Sequence, residues 1–328
     1  MSNANIRRLV LEATALPVAV LSARLYARYR RDIRAAYARV EAAGSHVIET
    51  ACGRIEYATF GDGYPVLVVH GNCGGFDQGL VEARSTLGER FRALVPSRFG
   101  YLGTPLPEHA SPASQADAYA CLLDRLGVDQ VAVIAYSAGS TSALQFALRY
   151  PDRVSALVLG SPNAPGRVPT LPPRAVFNVL FRSDFLFWLI TTYLSAGVRT
   201  PMGIPKGLEL TPEYRVEVAG MMRTVLPVKP RADGVLFDTY VSNPQINTGY
   251  PFAEIAAPAL IVSARDDPMA PYENAHALAE QIPGAELLTV ERGGHLMLGQ
   301  RERTVAVIRA FLGEHAAMQP QELATFQA

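Results

Sequence analysis

The stretch Val131-Ala132-Val133-Ile134-Ala135-Tyr136-Ser137-Ala138-Gly139 decides the fold of this chain. Its first five residues are small or apolar, which is typical of a buried parallel strand, and residues 140–148 after it predict a helix. A serine in the tight turn between a strand and a helix is the context of the G-x-S-x-G nucleophile elbow. Ala135 replaces the first glycine and is small enough for that turn. A serine here is otherwise usually a helix N-cap, so this turn alone leaves both roles open.

Two further loops, each directly after a predicted strand, carry an acid and a histidine. The apolar run 258–264 is followed by Asp266 and Asp267, and the strand 285–290 is followed by Gly293-Gly294-His295. Serine, aspartate and histidine in this chain order, each just past a strand, indicate a nucleophile, an orienting acid and a base brought to one sheet edge.

A fourth motif lies upstream, where the apolar strand 66–69 ends in His70-Gly71-Asn72-Cys73, a loop that can offer a backbone N–H to an oxyanion. With these four motifs in order, the chain resembles the α/β-hydrolase superfamily over about residues 46–314. The resemblance implies an α/β fold with a mostly parallel central sheet flanked by helices and an inserted helical cap. One departure is Ser97, where many relatives have an aspartate.

The resemblance implies a role for each residue of the triad. Ser137 is the expected nucleophile, His295 is its general base, and Asp267 orients the imidazole. Asp267 is preferred to Asp266 because the family pattern has a proline four residues after the acid, and Pro271 follows Asp267 at that distance. Asp266 would then be a solvated or helix-capping neighbour.

The resemblance also implies an oxyanion hole made of backbone N–H groups. Its expected donors are Ala138 and Asn72, with Cys73 as the alternative to Asn72. Such donors stabilise charge that exists only in the transition state, by about 3–4 kcal/mol each. His70 is expected to brace this loop and to take no part in the chemistry.

The motifs divide residues 44–328 into four segments. Residues 44–160 and 251–315 are expected to form the α/β core, and residues 161–250, where the alternation of strands and helices stops, to form the cap. Residues 316–328 are expected to be a loose tail. The cap segment is rich in proline and large apolar side chains, which favours a rather apolar small-molecule substrate.

Residues 1–43 are set apart by their charge. They carry a net charge of +5, which leaves about −5 on the remainder. A membrane-spanning helix needs about 20 apolar residues, and the apolar run here, interrupted by Glu12 and Pro17, is shorter. Three alternatives stay open: a helical arm that packs on the domain or on a second subunit, a basic helix that lies on an anionic membrane, or a cleaved or disordered leader.

Composition excludes several other classes of protein. The chain has 30 basic and 30 acidic residues, so nothing indicates a nucleic-acid partner. It has no phosphate-binding glycine loop, dinucleotide fingerprint or cluster of metal ligands, so no cofactor and no metal are expected. Cys52, Cys73 and Cys121 stand at unrelated spacings, which predicts no disulfide and favours a reducing compartment. We therefore expect a cytoplasmic protein, associated with a membrane only if residues 1–43 bind lipid.

The expected activity is that of a serine hydrolase that cleaves a carboxylic ester or a related acyl bond through an acyl-serine intermediate. Serine at the elbow argues against the epoxide-hydrolase and haloalkane-dehalogenase branches, which use aspartate there. C–C bond hydrolases, lactonases, thioesterases and acyltransferases use the same triad and stay open as alternatives. A non-catalytic binding homologue is an alternative of a different class.

Overall fold

One sheet of eight strands runs through the part of the chain that the computed structural model describes: residues 3–167, 170–194 and 200–316, with side chains except at 3–17 and 201. The strands are β1 His46–Thr50, β2 Gly53–Phe60, β3 Tyr64–Val69, β4 Phe91–Pro96, β5 Val131–Tyr136, β6 Val154–Gly160, β7 Ala259–Ala264 and β8 Glu286–Val290. Their order across the sheet is β1-β2-β4-β3-β5-β6-β7-β8. Only β1–β2 and β2–β4 pair antiparallel, so the predicted mostly parallel sheet is confirmed.

Helices cover both faces of this sheet. In the described residues the α-helices are α1 Asn3–Ala43, α2 Phe76–Thr86, α3 Pro112–Leu126, α4 Gly139–Arg149, α5 Arg174–Phe181, α6 Asp184–Tyr193, α7 Pro212–Val225, α8 Ala232–Phe237, α9 Tyr272–Gln281 and α10 Arg301–His315. Leu67 and Val69 of β3 face the core cluster built with α3, α4 and α9, whereas Val66 and Val68 face the cluster built with α2 and α10. Burial on both faces explains why these strands are continuously apolar.

The parallel strands bring the four sequence motifs to one edge of the sheet. The loops after β3, β5, β7 and β8 leave from the carboxyl ends of their strands, and in open α/β sheets ligands bind at that edge. The loop after β8 contains the short helical turn Gly294–Leu296, which carries His295.

The cap lies between β6 and β7. Its described residues form α5 to α8, a π-helical turn at Asp238–Ser242 and short 3₁₀ turns, and contribute no strand to the sheet. Phe181, Phe187 and Trp188 are buried in its core cluster. Among the described residues no single helix is long and apolar enough to cross a membrane, and only the pair α5 and α6, bent by 94°, meets that requirement together.

Helix α1 forms an arm that packs on the cap over its described C-terminal part. Ile33 and Ala36 are buried in the same cluster as Trp188. The Trp188 Nε1–H donates a hydrogen bond of 3.1 Å to Asp32, and the Tyr37 hydroxyl donates one of 3.1 Å to Asp184. Side chains 18–24 are exposed. Of the three alternatives for residues 1–43, packing on the domain therefore describes the part of the arm from about residue 25 onward.

The expectation that the cysteines form no disulfide is wrong. Cys52, in the turn between β1 and β2, is bonded to Cys121 on α3, with their Cα atoms 5.9 Å apart. The two residues are 69 positions apart in the chain, and only the packing of α3 beside β1 brings them together. The cysteine count therefore no longer supports a reducing compartment. The predicted tail lies, from residue 317 onward, outside the described residues.

Candidate active site

Ser137 stands in a strained turn between β5 and α4. Its φ is +50°, in the left-handed region that non-glycine residues rarely adopt, and its N–H donates to Gly160 O at 2.9 Å. Gly139 is required next to it, because a Cβ there would lie 2.6 Å from the His70 carbonyl oxygen. The turn therefore holds the serine hydroxyl at the carboxyl edge of the sheet and directs the first N–H groups of α4 toward the same edge.

The side chains of Ser137, His295 and Asp267 form one continuous hydrogen-bonded chain. His295 Nε2 lies 2.9 Å from Ser137 Oγ, and His295 Nδ1 lies 2.8 Å from Asp267 Oδ2. The Asp267 side chain is fully buried, whereas the imidazole is 11% exposed. The other carboxylate oxygen of Asp267, Oδ1, accepts the N–H groups of Met269 and Ala270 at 2.8 and 2.9 Å. This geometry lets the imidazole take a proton from the hydroxyl while a fixed carboxylate stabilises the resulting cation.

Asp266 has a different role from the one expected for it. Its carboxylate accepts the N–H groups of Gly294 at 2.8 Å and Gly293 at 3.1 Å, the two residues before His295. It is therefore neither merely solvated nor a helix cap, because it ties the loop after β7 to the loop after β8. The two neighbouring aspartates hold the histidine from two sides, one through its ring and one through its backbone.

Two backbone N–H groups beside Ser137 have no acceptor among the described residues. They belong to Asn72 and Ala138. The loop after β3 comes close to the nucleophile, since a Cβ on Gly71 would lie 3.3 Å from Ser137 Cβ. The Cys73 N–H is already donated to the Asn72 side-chain oxygen at 2.9 Å. Unsatisfied donors at this position are what an oxyanion hole requires, and of the two alternatives the geometry favours Asn72.

The Cys73 thiol does not act as a second nucleophile in this site. Burial raises the pKa of Cys73 to about 12. Because only the thiolate is an effective nucleophile, the neutral thiol at pH 7 is inert.

His70 holds the shape of the loop between β3 and α2, residues 70–75, which we call the oxyanion loop. Its Nδ1 lies 2.8 Å from Gly71 O, and its Nε2 accepts the Arg98 N–H at 3.0 Å. Burial, and secondarily the Arg98 cation, hold the pKa of His70 well below its usual value. The imidazole is therefore neutral, donates from Nδ1 and accepts at Nε2, which is the bracing role that the sequence suggested.

A buried ion pair ties the cap to the oxyanion loop. Both guanidinium NH groups of Arg98 contact the Asp238 carboxylate, at 2.7 and 2.5 Å, and the two side chains are 2% and 0% exposed. Arg98 also donates to the carbonyls of His70 and Gly71 at 2.9 and 3.1 Å. The Tyr101 hydroxyl lies 2.5 Å from Asp238 Oδ2 and 2.9 Å from Asn72 Oδ1. Asn72 is thus positioned by a polar network centred on Asp238.

A second buried ion pair also connects the cap to the core, at the start of α2. Arg231 at the start of α8 contacts both oxygens of Asp77 on α2, at 3.0 and 2.8 Å, and also donates to the Gly74 carbonyl. Arg39 of the arm approaches the same carboxylate at 2.7 Å. The Asp77 carboxylate therefore joins the cap, through Arg231, to the arm, through Arg39, and Arg231 extends the connection to the oxyanion loop.

The structure brings all the sequence-predicted site residues to one place and adds residues that the sequence did not reveal. Ser137, Asp267 and His295 are in hydrogen-bond contact, and Asn72 and Ala138 flank the serine. The missed residues are Arg98, Tyr101, Asp238, Asp77 and Arg231, which contact the loop after β3 or its neighbours. Asp266 was named from the sequence, but its contact with the loop before His295 was not expected. The sequence marked the loop after β4 only by Ser97, which stands where many relatives have an aspartate, and that departure did not indicate which partners the loop would find.

Asp238→Ala is expected to lower the free energy of unfolding by about 3–5 kcal/mol, because it leaves the buried Arg98 charge unpaired. The matched control is Asp233→Ala on α8, which removes an ion pair with Arg182 whose side chains are 55% and 52% exposed. That exposed pair is worth less than about 1 kcal/mol. Equilibrium urea unfolding of both variants measures the difference. Equal losses of unfolding free energy in the two variants would show that the buried pair stabilises the fold no more than the exposed pair does.

The chain is similar to known hydrolases over most of its length. The model of the alpha/beta hydrolase family matches residues 66–307. An uncharacterized hydrolase of Bacillus subtilis, YcgS, is 28% identical over 278 residues, which cover 79% of this chain and 95% of that protein. The 2-hydroxymuconate semialdehyde hydrolase of Pseudomonas putida is 27% identical over 274 residues, with coverages of 79% and 90%. Among solved structures, an alpha/beta hydrolase fold protein from Nakamurella multipartita has a TM-score of 0.61 at 28% identity, covering 81% of this chain and 99% of that one.

Proposed function

Because this chain belongs to the alpha/beta hydrolase family, we propose that it is a serine hydrolase that cleaves a carboxylic ester or related acyl bond of a rather apolar small molecule. The observation that carries the proposal is the continuous hydrogen-bonded chain from Asp267 through His295 to Ser137. Two unsatisfied N–H groups beside the serine support it. A binding protein would have no need of a base aligned on a strained serine.

In the first half of the reaction, Ser137 Oγ attacks the acyl carbon while His295 Nε2 takes the hydroxyl proton. The carbonyl π electrons move to oxygen, and the N–H groups of Asn72 and Ala138 stabilise that oxyanion. Asp267 stabilises the imidazolium through Nδ1. When the oxyanion re-forms the carbonyl, the bond to the leaving alcohol breaks and His295 gives the proton to the alkoxide. The product is an acyl-serine and a free alcohol.

In the second half, a water molecule takes the place of the alcohol. His295 removes its proton as the water oxygen attacks the acyl carbon, and the same two N–H groups stabilise the second oxyanion. Collapse breaks the bond to Ser137 Oγ, which recovers the proton from His295. The carboxylic acid leaves and the triad is restored.

The proposal is tested by labelling the folded protein with a fluorophosphonate, which reports an activated serine without the natural substrate. We expect a single adduct by intact mass, mapped to Ser137, with fluoride displaced by the serine oxygen. Ser137→Ala should remove the adduct and His295→Ala should slow its formation at least about 100-fold, the scale of general-base assistance. Absence of an adduct on a folded chain that keeps its circular-dichroism spectrum would contradict the proposal.

A second candidate is cleavage of a carbon–carbon bond next to a carbonyl group, which the same triad supports. The observation that favours it is the likeness to the 2-hydroxymuconate semialdehyde hydrolase of Pseudomonas putida over 90% of that protein. The two candidates separate in a paired assay of one enzyme preparation against p-nitrophenyl butyrate and 2-hydroxymuconate semialdehyde. A kcat/KM at least 100-fold higher for the ester supports the ester hydrolase, and the reverse ratio supports the C–C hydrolase.

A further inference from the structure

A cavity of about 750 Å³ lies between the arm and the cap, outside the triad. Its walls come from α1, α6, α7 and the segment around residues 202–210. The apolar part of the wall includes Trp188, Met202, Ile204, Leu210, Val218 and Met222. This volume and lining fall within the range of pockets that bind small molecules.

Arginines dominate the charge around this cavity. Among the described residues, its lining contains Arg28, Arg31, Arg39, Arg215 and Arg223, but only one acid, Asp32. The Asp32 carboxylate lies within 4 Å of both Arg28 and Arg31, and it accepts the Trp188 N–H. All of these arginines except Arg39 are exposed to solvent, so the excess of positive charge lies at the outer edge of the apolar cavity.

Two of these arginines have no carboxylate partner within the described residues. Arg215 Nε donates only to the Leu210 carbonyl at 3.0 Å, and the Arg223 side chain makes no hydrogen bond or ion pair with any residue that the structure describes. They are eight residues apart on α7, with Val218 and Met222 between them on the cavity side. Positions i, i+3, i+7 and i+8 share one helix face, so the two arginines border the same apolar wall, about 12 Å apart along the helix axis.

The cavity shares a wall with the loop that carries the catalytic histidine. Met202 and Ile204 flank Gly203, whose carbonyl accepts the His295 N–H at 2.9 Å. A Cβ on Gly203 would lie 2.5 Å from His295 Cβ, so the backbone here touches the histidine directly. A molecule in this cavity would therefore contact the segment around Gly203 that holds the backbone of His295 in place.

We propose that the cavity binds a single-chain anionic amphiphile, a long-chain carboxylate. The alkyl chain lies along the apolar wall, where burial removes it from water, and the carboxylate pairs with the guanidinium group of Arg223. Arg215, about 12 Å away along α7, adds positive charge to the same wall. Arginine suits this role because its planar fork matches a carboxylate in a bidentate manner. The site goes beyond the proposed hydrolase activity, since binding requires no reaction at Ser137.

The chain offers a built-in reporter for this site, because Trp188 is its one tryptophan and lines the cavity. The probe is stearate with a nitroxide at carbon 12, added below its micelle concentration to full-length Ser137→Ala protein, so that no turnover interferes. We expect saturable quenching of Trp188 fluorescence at a 1:1 ratio. The methyl ester of the same probe should bind about tenfold more weakly, because it lacks the charge-assisted hydrogen bonds.

Three variants assign the quenching to this cavity. Arg215→Gln combined with Arg223→Gln should weaken binding of the carboxylate about tenfold and leave binding of the ester unchanged. Ala219→Phe, which fills the cavity from α7, should weaken both. Arg125→Gln on the exposed end of α3 is the matched control and should change neither. Circular dichroism of each variant shows whether it is folded.

Equal affinity for the carboxylate and its ester, or quenching insensitive to the arginine variants, would overturn the proposal. Quenching that occurs only with vesicles of nitroxide-labelled phosphatidylglycerol would also overturn it, because the anion would then be a lipid headgroup at a bilayer. Failure of the hydrolase proposal is separate, because fluorophosphonate labelling reports on Ser137 alone and this binding measurement uses a variant without it.

Discussion

Ser137→Ala is expected to lower kcat by about 10⁵-fold on any ester that the wild-type protein hydrolyses, since removing the nucleophile of a triad removes the covalent route entirely. The residual rate would come from the oxyanion donors and from binding. KM should change little, because the hydroxyl contributes to the transition state far more than to substrate binding. Steady-state kinetics with p-nitrophenyl butyrate measure both quantities.

The matched control for this variant is Ser140→Ala. Ser140 is fully buried three residues later, and its hydroxyl has no hydrogen-bond partner within the described residues. Removing that oxygen deletes no interaction, so kcat should stay within about twofold and stability should not fall. If Ser137→Ala retained more than about a hundredth of wild-type activity, the nucleophile would be another group.

Asp267→Asn is expected to lower kcat by about 10⁴-fold, with the fold unchanged. The carboxylate accepts on both sides, from the N–H groups of Met269 and Ala270 at Oδ1 and from His295 at Oδ2. An asparagine has only one oxygen, and the two backbone donors retain it. Its NH₂ group would then face His295 Nδ1, which forces the imidazole into the tautomer that cannot accept the serine proton.

Asp266→Asn supplies the comparison, because the neighbouring carboxylate accepts the Gly294 N–H and the shorter of its two Gly293 contacts through one oxygen, Oδ1. An asparagine oxygen can make both bonds, so we expect a loss in kcat of less than about tenfold. Rates of the two variants over pH 6–9 with one ester decide the assignment. A loss for Asp266→Asn as large as that for Asp267→Asn would mean that the two aspartates share the orienting role.

The triad could be predicted from sequence because each of its members sits in a short local pattern. Ser137 needs only a strand, a small-residue turn and a helix, all within about 20 residues. His295 and Asp267 likewise follow strands whose apolar runs are readable. Parallel pairing then brings the strand ends together without further information, which is why the mostly parallel sheet and its site edge could be stated in advance.

The supporting network could not be predicted because its partners are distant in the chain and have no motif. Arg98 and Asp238 are 140 positions apart, and Asp238 lies in a π-helical turn that no periodicity indicates. Cys52 and Cys121 have the same difficulty, since a single pair gives no recognisable spacing. For the arm, sequence left packing and membrane contact open, because burial of Ile33 and Ala36 depends on a cap surface that only the folded chain provides.

The two buried ion pairs between cap and core have a consequence for protein engineering. Exchanging residues 161–250 for the corresponding segment of a relative is an obvious route to new substrate preference. In this chain that graft would delete Asp238 and Arg231, leaving Arg98 charged without a carboxylate inside the core and Asp77 with Arg39 of the arm as its one remaining ion-pair partner among the described residues. A transplanted segment must therefore supply an aspartate and an arginine at the positions of Asp238 and Arg231. Otherwise Arg98 and Asp77 must first be replaced by neutral residues. The cap of this hydrolase is not an interchangeable module.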